Sequence, residues 1–447
     1  MNTTSAQEGK SERVENREEI NSHIYTQKDH NCPPSIKETG VREVYFKEGE
    51  KMKLSCVANG VPRPQWTKNG KVFDLSRHKG RIAMQSNSDT LLMKRTKRRD
   101  EGVYQCEAWN IEGVSLSDKI KVKKAKLEDF IDTKDVTLKV KRGQSVKISC
   151  IVPLSTPKAN VSWVLWSLID ASVTQVNFDD RRFTKDQEGN LYITNVKDED
   201  YENGRLYVCM ASNDVAGHTT FSNGTVISPI GKKGCIIVNS AINVHIFVRP
   251  HLMWASPEET IGIMGDPLKL KCIFGGNPSP IIQWSFSNNN NNLLVKNKTG
   301  ISIDGQELGF YRLQLTDRGK YTCYVEDPTG DRIEHVINLI VKARPFWLEG
   351  GQPSDIHVES RRGTVATFSC KAGGFPTPDV HWYINGVSLK ESNISAMSEN
   401  RFQNPNDCTV TITDIRLTDA MVLQCNASNM FGYLFSDFYL NVFGKIL

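Results

Sequence analysis

Short segments in which hydrophobic and polar residues alternate recur along the whole chain. KMKLSC, VKISC, LKLKC and TVATFSC each direct every second side chain to one side, as a half-buried β-strand does. No stretch of about ten residues carries apolar positions at helical spacing. The pattern therefore predicts an all-β protein that is built from short strands.

Each of these four segments ends at a cysteine, and the cysteines themselves repeat. Eight of the 11 fall into four pairs: Cys56 with Cys106, Cys150 with Cys209, Cys272 with Cys323, and Cys370 with Cys425. A tryptophan follows the first cysteine of each pair by 10 to 13 residues: Trp66, Trp163, Trp284 and Trp382. Cys…Trp…Cys at this spacing is typical of the immunoglobulin sandwich, in which a disulfide joins two sheets and the indole packs on it. The sequence therefore predicts four tandem immunoglobulin-like domains of the I-set type.

The residues before the second cysteine of each pair support this interpretation. Tyr104, Tyr207 and Tyr321 stand two residues before that cysteine, the position of the tyrosine corner, whose hydroxyl bonds back to the backbone. In the fourth repeat Met421 replaces the glycine of repeats 1 and 3, and Leu423 replaces the tyrosine of the other three repeats. We therefore expect domain 4 to lack one hydrogen bond and to be less stable by about 1 kcal/mol.

Spacing around the cysteines also predicts the domain boundaries, since such domains have about 100 residues. The predicted domains are 33–124, 127–229, 248–342 and 345–443, with a disordered charged tail at 1–32 and a linker at 230–247. Two joints are only a few residues long, whereas the middle one is long enough for the chain to double back. Domains 1 and 2 would then lie antiparallel to domains 4 and 3 in a horseshoe, with an extended rod as the alternative.

Composition and motifs exclude several classes of function. The net charge of +5 is too small to imply an obligate nucleic-acid partner. The nine histidines are scattered, and HExxH, GxSxG, CxxC, GxGxxG and Walker patterns do not occur. We therefore expect no enzymatic activity, no metal and no cofactor.

A disulfide in every repeat predicts an oxidising, extracellular compartment. An intracellular array of immunoglobulin domains with unpaired cysteines is the alternative. No run of about 18 apolar residues and no apolar leader occurs, so we expect the signal peptide and the membrane anchor to lie outside this sequence. Cys32, Cys235 and Cys408 remain, which indicates a free thiol or pairing between chains, and a horseshoe would allow Cys32 to meet Cys408.

Two kinds of candidate surface site follow from short motifs. Sequons for N-glycosylation occur at Asn160, Asn223, Asn297, Asn393 and Asn426. A basic run, KRTKRR, and alternating lysines on the last strand of domain 1 predict a patch for sulfated glycans or anionic lipid. Its candidate residues are Lys94, Arg95, Lys97, Arg98, Lys121 and Lys123. Solvated lysines on an exposed strand are the simpler interpretation.

The repeats in this order resemble the first four immunoglobulin domains of the neuroglian family of neural cell adhesion molecules, over about 33–443. Domain 2 carries the most specific segment, RRFTKDQEGNLYITNVKDED (Arg181 to Asp200). The other domains contribute NGKVFD (Asn69 to Asp74), CIFGGNPSP (Cys272 to Pro280) and CNASNMFGY (Cys425 to Tyr433). The altered corner of domain 4 and the shortened segment ELGFYRLQLTDRG of domain 3 depart from the family pattern.

The resemblance implies an extracellular adhesion module that binds itself or related cell-surface immunoglobulin proteins, in axon growth and guidance or in synapse organisation. The same four-domain block also resembles hemolin, a secreted insect immune protein related to that family, and this likeness favours the horseshoe. A soluble hemolin-like protein that binds microbial surfaces is therefore the alternative function. A third possibility is the ectodomain of a receptor whose catalytic part lies outside this chain.

Overall fold

The computed structural model describes residues 33–37, 42–60, 64–78, 80–85, 90–131, 134–231, 247–288, 291–294, 299–302, 305–406 and 408–444. The tail 1–32 with Cys32, most of the predicted linker with Cys235, and Asn297 lie outside the described residues. Strands dominate the described chain, and its one α-helix there is the single turn α1 (Ser395–Ser398). The all-β prediction is confirmed.

Domain 1 is a sandwich of a large and a small sheet. The large sheet has the order β2-β11-β9-β5-β6, with β10 beside β9, and the small sheet has the order β3-β8-β7. The strands are β1 (Ser35–Lys37), β2 (Glu43–Phe46), β3 (Met52–Leu54), β4 (Val57–Asn59), β5 (Gln65–Lys68), β6 (Lys71–Val72), β7 (Ile82–Met84), β8 (Leu91–Met93), β9 (Gly102–Asn110), β10 (Gly113–Leu116) and β11 (Ile120–Lys124). Short 3-10 turns lie at Leu75–His78 and Arg98–Asp100.

Domain 2 repeats this arrangement. Its large sheet has the order β13-β22-β20-β16-β17, with β21 beside β20, and its small sheet has the order β14-β19-β18. The strands are β12 (Lys126–Leu127), β13 (Val136–Lys141), β14 (Val146–Ile148), β15 (Ser155–Thr156), β16 (Asn160–Ser167), β17 (Val173–Gln175), β18 (Phe183–Lys185), β19 (Leu191–Ile193), β20 (Arg205–Asn213), β21 (His218–Phe221) and β22 (Thr225–Ile230). A 3-10 turn spans Asp198–Gly204.

Domains 3 and 4 share one long strand. In domain 3 the large sheet has the order β24-β31-β30-β26-β27 and the small sheet β23-β25-β29-β28. The strands are β23 (Val248–Ala255), β24 (Glu259–Ile263), β25 (Leu268–Asn277), β26 (Gln283–Asn288), β27 (Asn291–Leu294), β28 (Thr299–Ile301), β29 (Glu307–Phe310), β30 (Gly319–Glu326) and β31 (Arg332–Trp347). Strand β31 continues across the predicted joint at 343–344 and pairs with a strand of domain 4.

Domain 4 has a large sheet of order β32-β40-β39-β35-β36 and a small sheet of order β33-β38-β37. The strands are β32 (Ile356–Glu359), β33 (Val365–Ser369), β34 (Ala372–Phe375), β35 (Asp379–Ile384), β36 (Val387–Ser388), β37 (Phe402–Asn406), β38 (Thr409–Thr413), β39 (Met421–Asn429) and β40 (Gly432–Phe443). Further 3-10 turns lie at Leu315–Asp317 in domain 3 and at Leu417–Asp419 here. Cys408 is half-buried next to β38, and its carbonyl accepts the Cys370 N–H at 2.8 Å.

The core of each domain lies between its two sheets, because alternate residues of each strand point inward. A disulfide joins the sheets of every domain, in the four cysteine pairs that the spacing predicts, with Cα atoms 5.9–6.6 Å apart. The four predicted tryptophans are at most 3% exposed. In domain 4 Leu423 is fully buried at the position where Tyr104, for example, bonds the Asp100 carbonyl at 2.9 Å.

The chain doubles back between domains 2 and 3, so that domain 1 contacts domain 4 and domain 2 contacts domain 3. Hydrogen bonds cross both contacts, and those between domains 1 and 4 join residues more than 300 positions apart. The predicted horseshoe is therefore confirmed, and the extended rod is not the arrangement that the structure has.

Candidate adhesion surfaces

Domains 1 and 4 pack against each other through the outer faces of their large sheets. Gln424 on β39 is fully buried in this contact. Its Nε2 donates to the Leu116 carbonyl at 3.0 Å and to Ser115 Oγ at 3.3 Å, while the Leu116 N–H donates to its Oε1 at 3.1 Å. One side chain thus satisfies both backbone groups of Leu116 on β10, and it fixes the register of the two domains.

A half-buried carboxylate lies beside this amide. Asp437 on β40 accepts the Ile36 N–H at 3.0 Å and the Ser115 hydroxyl at 2.9 Å through the same oxygen. Burial raises the pKa of Asp437, although these two hydrogen bonds oppose the rise. The contact is therefore polar at its centre, and its polar groups are paired across the domain boundary.

Contacts at the edges also require the two domains to approach closely. The Arg42 guanidinium lies 4.0 Å from the centre of the Tyr433 ring and donates to the Tyr433 carbonyl at 2.9 Å. At Gly113 a Cβ would lie 2.7 Å from a methyl group of Val422 in domain 4. Glycine is therefore needed at this position for domain 4 to pack against β10.

Domains 2 and 3 meet through residues on or next to their small sheets. Asn195 Nδ2 donates to Ser279 Oγ at 2.9 Å, and the Gly276 N–H donates to the Thr194 carbonyl at 3.1 Å. Since these domains use their small sheets, the outer faces of their large sheets point away from the contact. Among the four large sheets, those of domains 2 and 3 therefore have outer faces that neither interdomain contact covers.

Three domains share a buried ion pair at the turn before the second cysteine, which the sequence interpretation missed. Its members are Arg81 with Asp100 at 2.6 Å, Arg182 with Asp200 at 2.9 Å, and Arg401 with Asp419 at 2.7 Å. In the sequence an arginine immediately before β7, β18 and β37 precedes the aspartate by 18 or 19 residues. This repeated spacing in three domains is the sequence signal from which the ion pair could have been predicted.

The outer face of the large sheet of domain 2 carries a hydrophobic cluster that is separate from the core. Its members are Val164, Leu206, Val208, Met210 and Val226. Trp166 and Phe221 project from the same face, with their rings edge to face at 6.4 Å, and are 38% and 43% exposed. Val173, which pairs with Trp166, is 50% exposed. We call these eight residues the domain 2 apolar face.

The equivalent face of domain 3 is polar. Aligning the domains on the pairs Trp163–Cys209 and Trp284–Cys323 gives the matching positions. Ser285, Ser287, Lys320, Thr322, Tyr324 and Glu334 stand where domain 2 has Val164, Trp166, Leu206, Val208, Met210 and Phe221. The apolar character is therefore a property of the domain 2 sequence, since the same fold does not require it in domain 3.

The predicted basic segment and the last strand of domain 1 approach each other at Glu48. That carboxylate accepts the Arg98 N–H at 3.3 Å and the Lys124 ammonium at 2.5 Å, so the KRTKRR segment and β11 meet there. Lys121 is exposed, whereas Lys123 pairs with Glu43 at 2.9 Å. Carboxylates thus lie among the predicted polyanion contacts and reduce the positive charge that the sequence alone indicates.

The predicted sequons differ in exposure. Asn160 and Asn393 are exposed, whereas Asn223 is half-buried. Asn426 is also half-buried, and it lies in the contact between domains 1 and 4. Whether any of them carries a glycan stays a prediction.

Within the ranges that the structure describes, no group of three or more His, Cys, Asp or Glu side chains could hold a metal ion. None of the helices there has the length and apolar character needed to cross a bilayer.

Comparison with known proteins identifies the domains and their order. Residues 33–110 and 249–326 match the family described as immunoglobulin domain, and residues 351–442 match the immunoglobulin I-set domain. Neuroglian of Drosophila melanogaster is 30% identical over 422 residues, which cover 92% of this chain and 31% of that protein. The neuronal cell adhesion molecule of Gallus gallus is 28% identical, over 92% of this chain and 30% of that protein. The chain thus spans about a third of the length of these relatives.

Solved structures share the four-domain arrangement. The insect immune protein hemolin superimposes with a TM-score of 0.73 at 25% identity, over 92% of this chain and all of that chain. Domains 1–4 of Sidekick-1 give a TM-score of 0.64 at 20% identity, over 93% of this chain and all of that one, which shows a common fold. The chain belongs to the immunoglobulin superfamily, and its relatives there are cell adhesion proteins of the neuroglian type.

Proposed function

We propose that this chain is an extracellular adhesion module, and that its domain 2 apolar face binds the same face of a second copy on an opposed cell. The exposed apolar side chains Trp166, Phe221 and Val173 carry the proposal, because contiguous exposed apolar patches on folded proteins mark interaction sites. The names of the relatives support adhesion, and the hemolin structure is described as having implications for homophilic adhesion.

Charge favours a second copy as the occupant. The outward positions of β16, β17, β20 and β21 carry no charged side chain. The exposed lysines of this sheet face, Lys139 and Lys141, lie on the edge strand β13, so two such faces meet without like-charge repulsion where their central strands overlap. A twofold contact of this kind is self-complementary by symmetry. The same faces of domains 1 and 4 are occupied by each other, and that of domain 3 is polar. Single contacts of one domain are weak, and many copies on a membrane multiply them through avidity.

Replacing Trp166 and Phe221 together by lysine is expected to abolish clustering of beads coated with the chain. Two lysines on each face place four positive charges in the contact and remove its aromatic area. The measurement is the size distribution of the beads over time. The matched control is Ser287→Lys with Glu334→Lys on the equivalent face of domain 3, which is expected to cluster like the wild type. Equal clustering by the two double variants would reject the domain 2 apolar face as the contact. If wild-type beads do not cluster, self-recognition is rejected, and the partner is instead a related cell-surface immunoglobulin protein.

A second candidate partner is a sulfated glycan bound by the basic residues of domain 1. The exposed side chains of Lys94, Arg95, Lys97 and Arg98 favour it, since they form one dense basic segment. Lys121 and Lys123 lie on β11, and Lys123 already has a carboxylate partner. The four residues of the segment are therefore expected to contribute more to polyanion binding than the strand lysines.

Charge reversal of Lys94, Arg95, Lys97 and Arg98 to glutamate is expected to lower the salt concentration at which the chain elutes from heparin. Each contact between a cation and a sulfate releases bound counterions, so its loss makes retention less salt-resistant. The control is reversal of the same number of exposed lysines in another domain. Unchanged elution of the domain 1 variant would remove the basic segment as a polyanion site.

A further inference from the structure

Asn426 stands in an unusual place for a glycosylation sequon. It follows the disulfide residue Cys425 on β39, and it points from the large sheet of domain 4 toward domain 1. There it lines a cleft of about 440 Å³ between the two domains. The other walls include Gln105, Glu107 and Leu116 of domain 1 and Tyr383, Tyr433 and Phe435 of domain 4.

The side chain of Asn426 is confined in this cleft. Its Oδ1 is buried, and no donor among the described residues reaches it. Gln424, two residues earlier on the same face of β39, bonds the backbone of Leu116 at 3.0–3.1 Å. The two domains are therefore in direct contact only two residues away from Asn426 along β39.

We infer that Asn426 is a glycosylation site whose occupancy keeps domains 1 and 4 apart, so that carbohydrate there and the closed horseshoe exclude each other. Glycans on Asn-X-Ser sequons are bulky and hydrated. In the closed form the first sugars would have to lie in this cleft, beside the direct contact between Gln424 and Leu116, and a bulky hydrated glycan there would push the two sheets apart. Asn160 and Asn393 are exposed, so glycans at those sequons are compatible with closure.

Two forms of the chain follow from this exclusion. Without carbohydrate at Asn426 the large sheets of domains 1 and 4 cover each other. With it, the faces that hold Gln424 and Leu116 become available to solvent and to other molecules. The inference concerns domains 1 and 4 alone, so it is independent of the contact proposed for domain 2.

The test compares three chains of residues 1–447, secreted from a eukaryotic host behind a foreign signal peptide. Wild type is compared with Ser428→Thr, which keeps an acceptor sequon, and with Ser428→Ala, which removes it. Occupancy at Asn426 is measured by peptide mass spectrometry after enzymatic deglycosylation in 18O water. Sedimentation velocity separates compact from extended monomers. Asn393→Gln, which removes an exposed sequon of the same domain, is the matched control.

The extended fraction is expected to equal the occupancy at Asn426 in all three chains and to disappear in Ser428→Ala. The Asn393→Gln chain is expected to keep the wild-type distribution. A compact monomer that carries carbohydrate at Asn426 would overturn the inference, and so would an extended fraction that persists in Ser428→Ala. Absence of carbohydrate at Asn426 from both the wild type and Ser428→Thr would overturn it as well.

Discussion

Domain 2 with Arg182 replaced by alanine is expected to unfold at least about 10 °C below the wild-type domain. Arg182 is buried, and its guanidinium bonds Asp200 at 2.9 Å and the Asn195 carbonyl at 3.0 Å. Burial raises the pKa of Asp200, and the hydrogen bond from Arg182 opposes that rise. Removing one member of a buried ion pair destabilises a protein by about 3–5 kcal/mol.

The neighbouring arginine provides a matched control for this experiment. Arg181 is exposed, and its carbonyl, rather than its guanidinium, accepts Gln306 Nε2 at 3.3 Å across the contact with domain 3. Arg181→Ala is therefore expected to change the free energy of unfolding by no more than about 0.5 kcal/mol. Thermal unfolding followed by circular dichroism gives the temperature shift, and urea unfolding gives the free energies and midpoints. Equal midpoints for Arg182→Ala and Arg181→Ala would contradict a stabilising role for the buried pair.

The buried ion pair also stabilises the turn of domain 4, which lacks the tyrosine of the predicted tyrosine corner. Domain 4 has Leu423 in place of the tyrosine, yet its Arg401 bonds both oxygens of Asp419, at 2.7 Å and 3.0 Å. Although domain 4 lacks the tyrosine hydrogen bond, the ion pair between Arg401 and Asp419 still stabilises this turn. The stability of domain 4 relative to the others stays a prediction.

Local patterns were sufficient for the fold because the features that specify an immunoglobulin sandwich are close in sequence. Alternation with a period of two predicts which face of a strand is buried, and Trp163 lies 13 residues after Cys150 in the segment that packs on the disulfide. The horseshoe needed the resemblance to relatives in addition, because linker length alone allows a rod as well.

Local sequence patterns could not predict which residues make the contact between domains 1 and 4. Gln424 and Asp437 look like ordinary polar residues on the solvent side of a strand. Their partners lie more than 300 residues away, and no local rule relates such distant positions. The full burial of Gln424 and the partial burial of Asp437 are consequences of docking between whole domains.

The domain 2 apolar face did leave a signal in the sequence. In the segment VSWVLWS, Trp163 and Trp166 are three residues apart and therefore point to opposite faces of β16. A strand with large apolar residues at both parities is covered on both faces or carries an interaction surface. The alternation that predicts the strands ends at the first cysteine of each repeat, and VSWVLWS lies after it, so the second apolar face of β16 was not predicted.

Replacing Gln424 by arginine is expected to open the horseshoe and to increase the radius of gyration measured by small-angle X-ray scattering. The change removes three hydrogen bonds to β10 and leaves the N–H and C=O of Leu116 without their partners. Each unsatisfied backbone group costs about 1–3 kcal/mol, so the balance between closed and open chains shifts by roughly 30-fold or more. An arginine at this fully buried position would also bring a charge into the contact, which is unfavourable.

Thr322→Arg provides the control, because Thr322 stands at the position of Gln424 on the large sheet of domain 3, whose outer face has no partner domain in the described horseshoe. That variant is expected to keep the wild-type radius, which separates the effect of docking from the effect of an arginine on this strand. Thermal unfolding of both variants checks that each domain remains folded. If Gln424→Arg stays as compact as Thr322→Arg, the polar centre of the contact does not hold domains 1 and 4 together. The apolar and edge contacts around Gly113 and Arg42 must then do so instead.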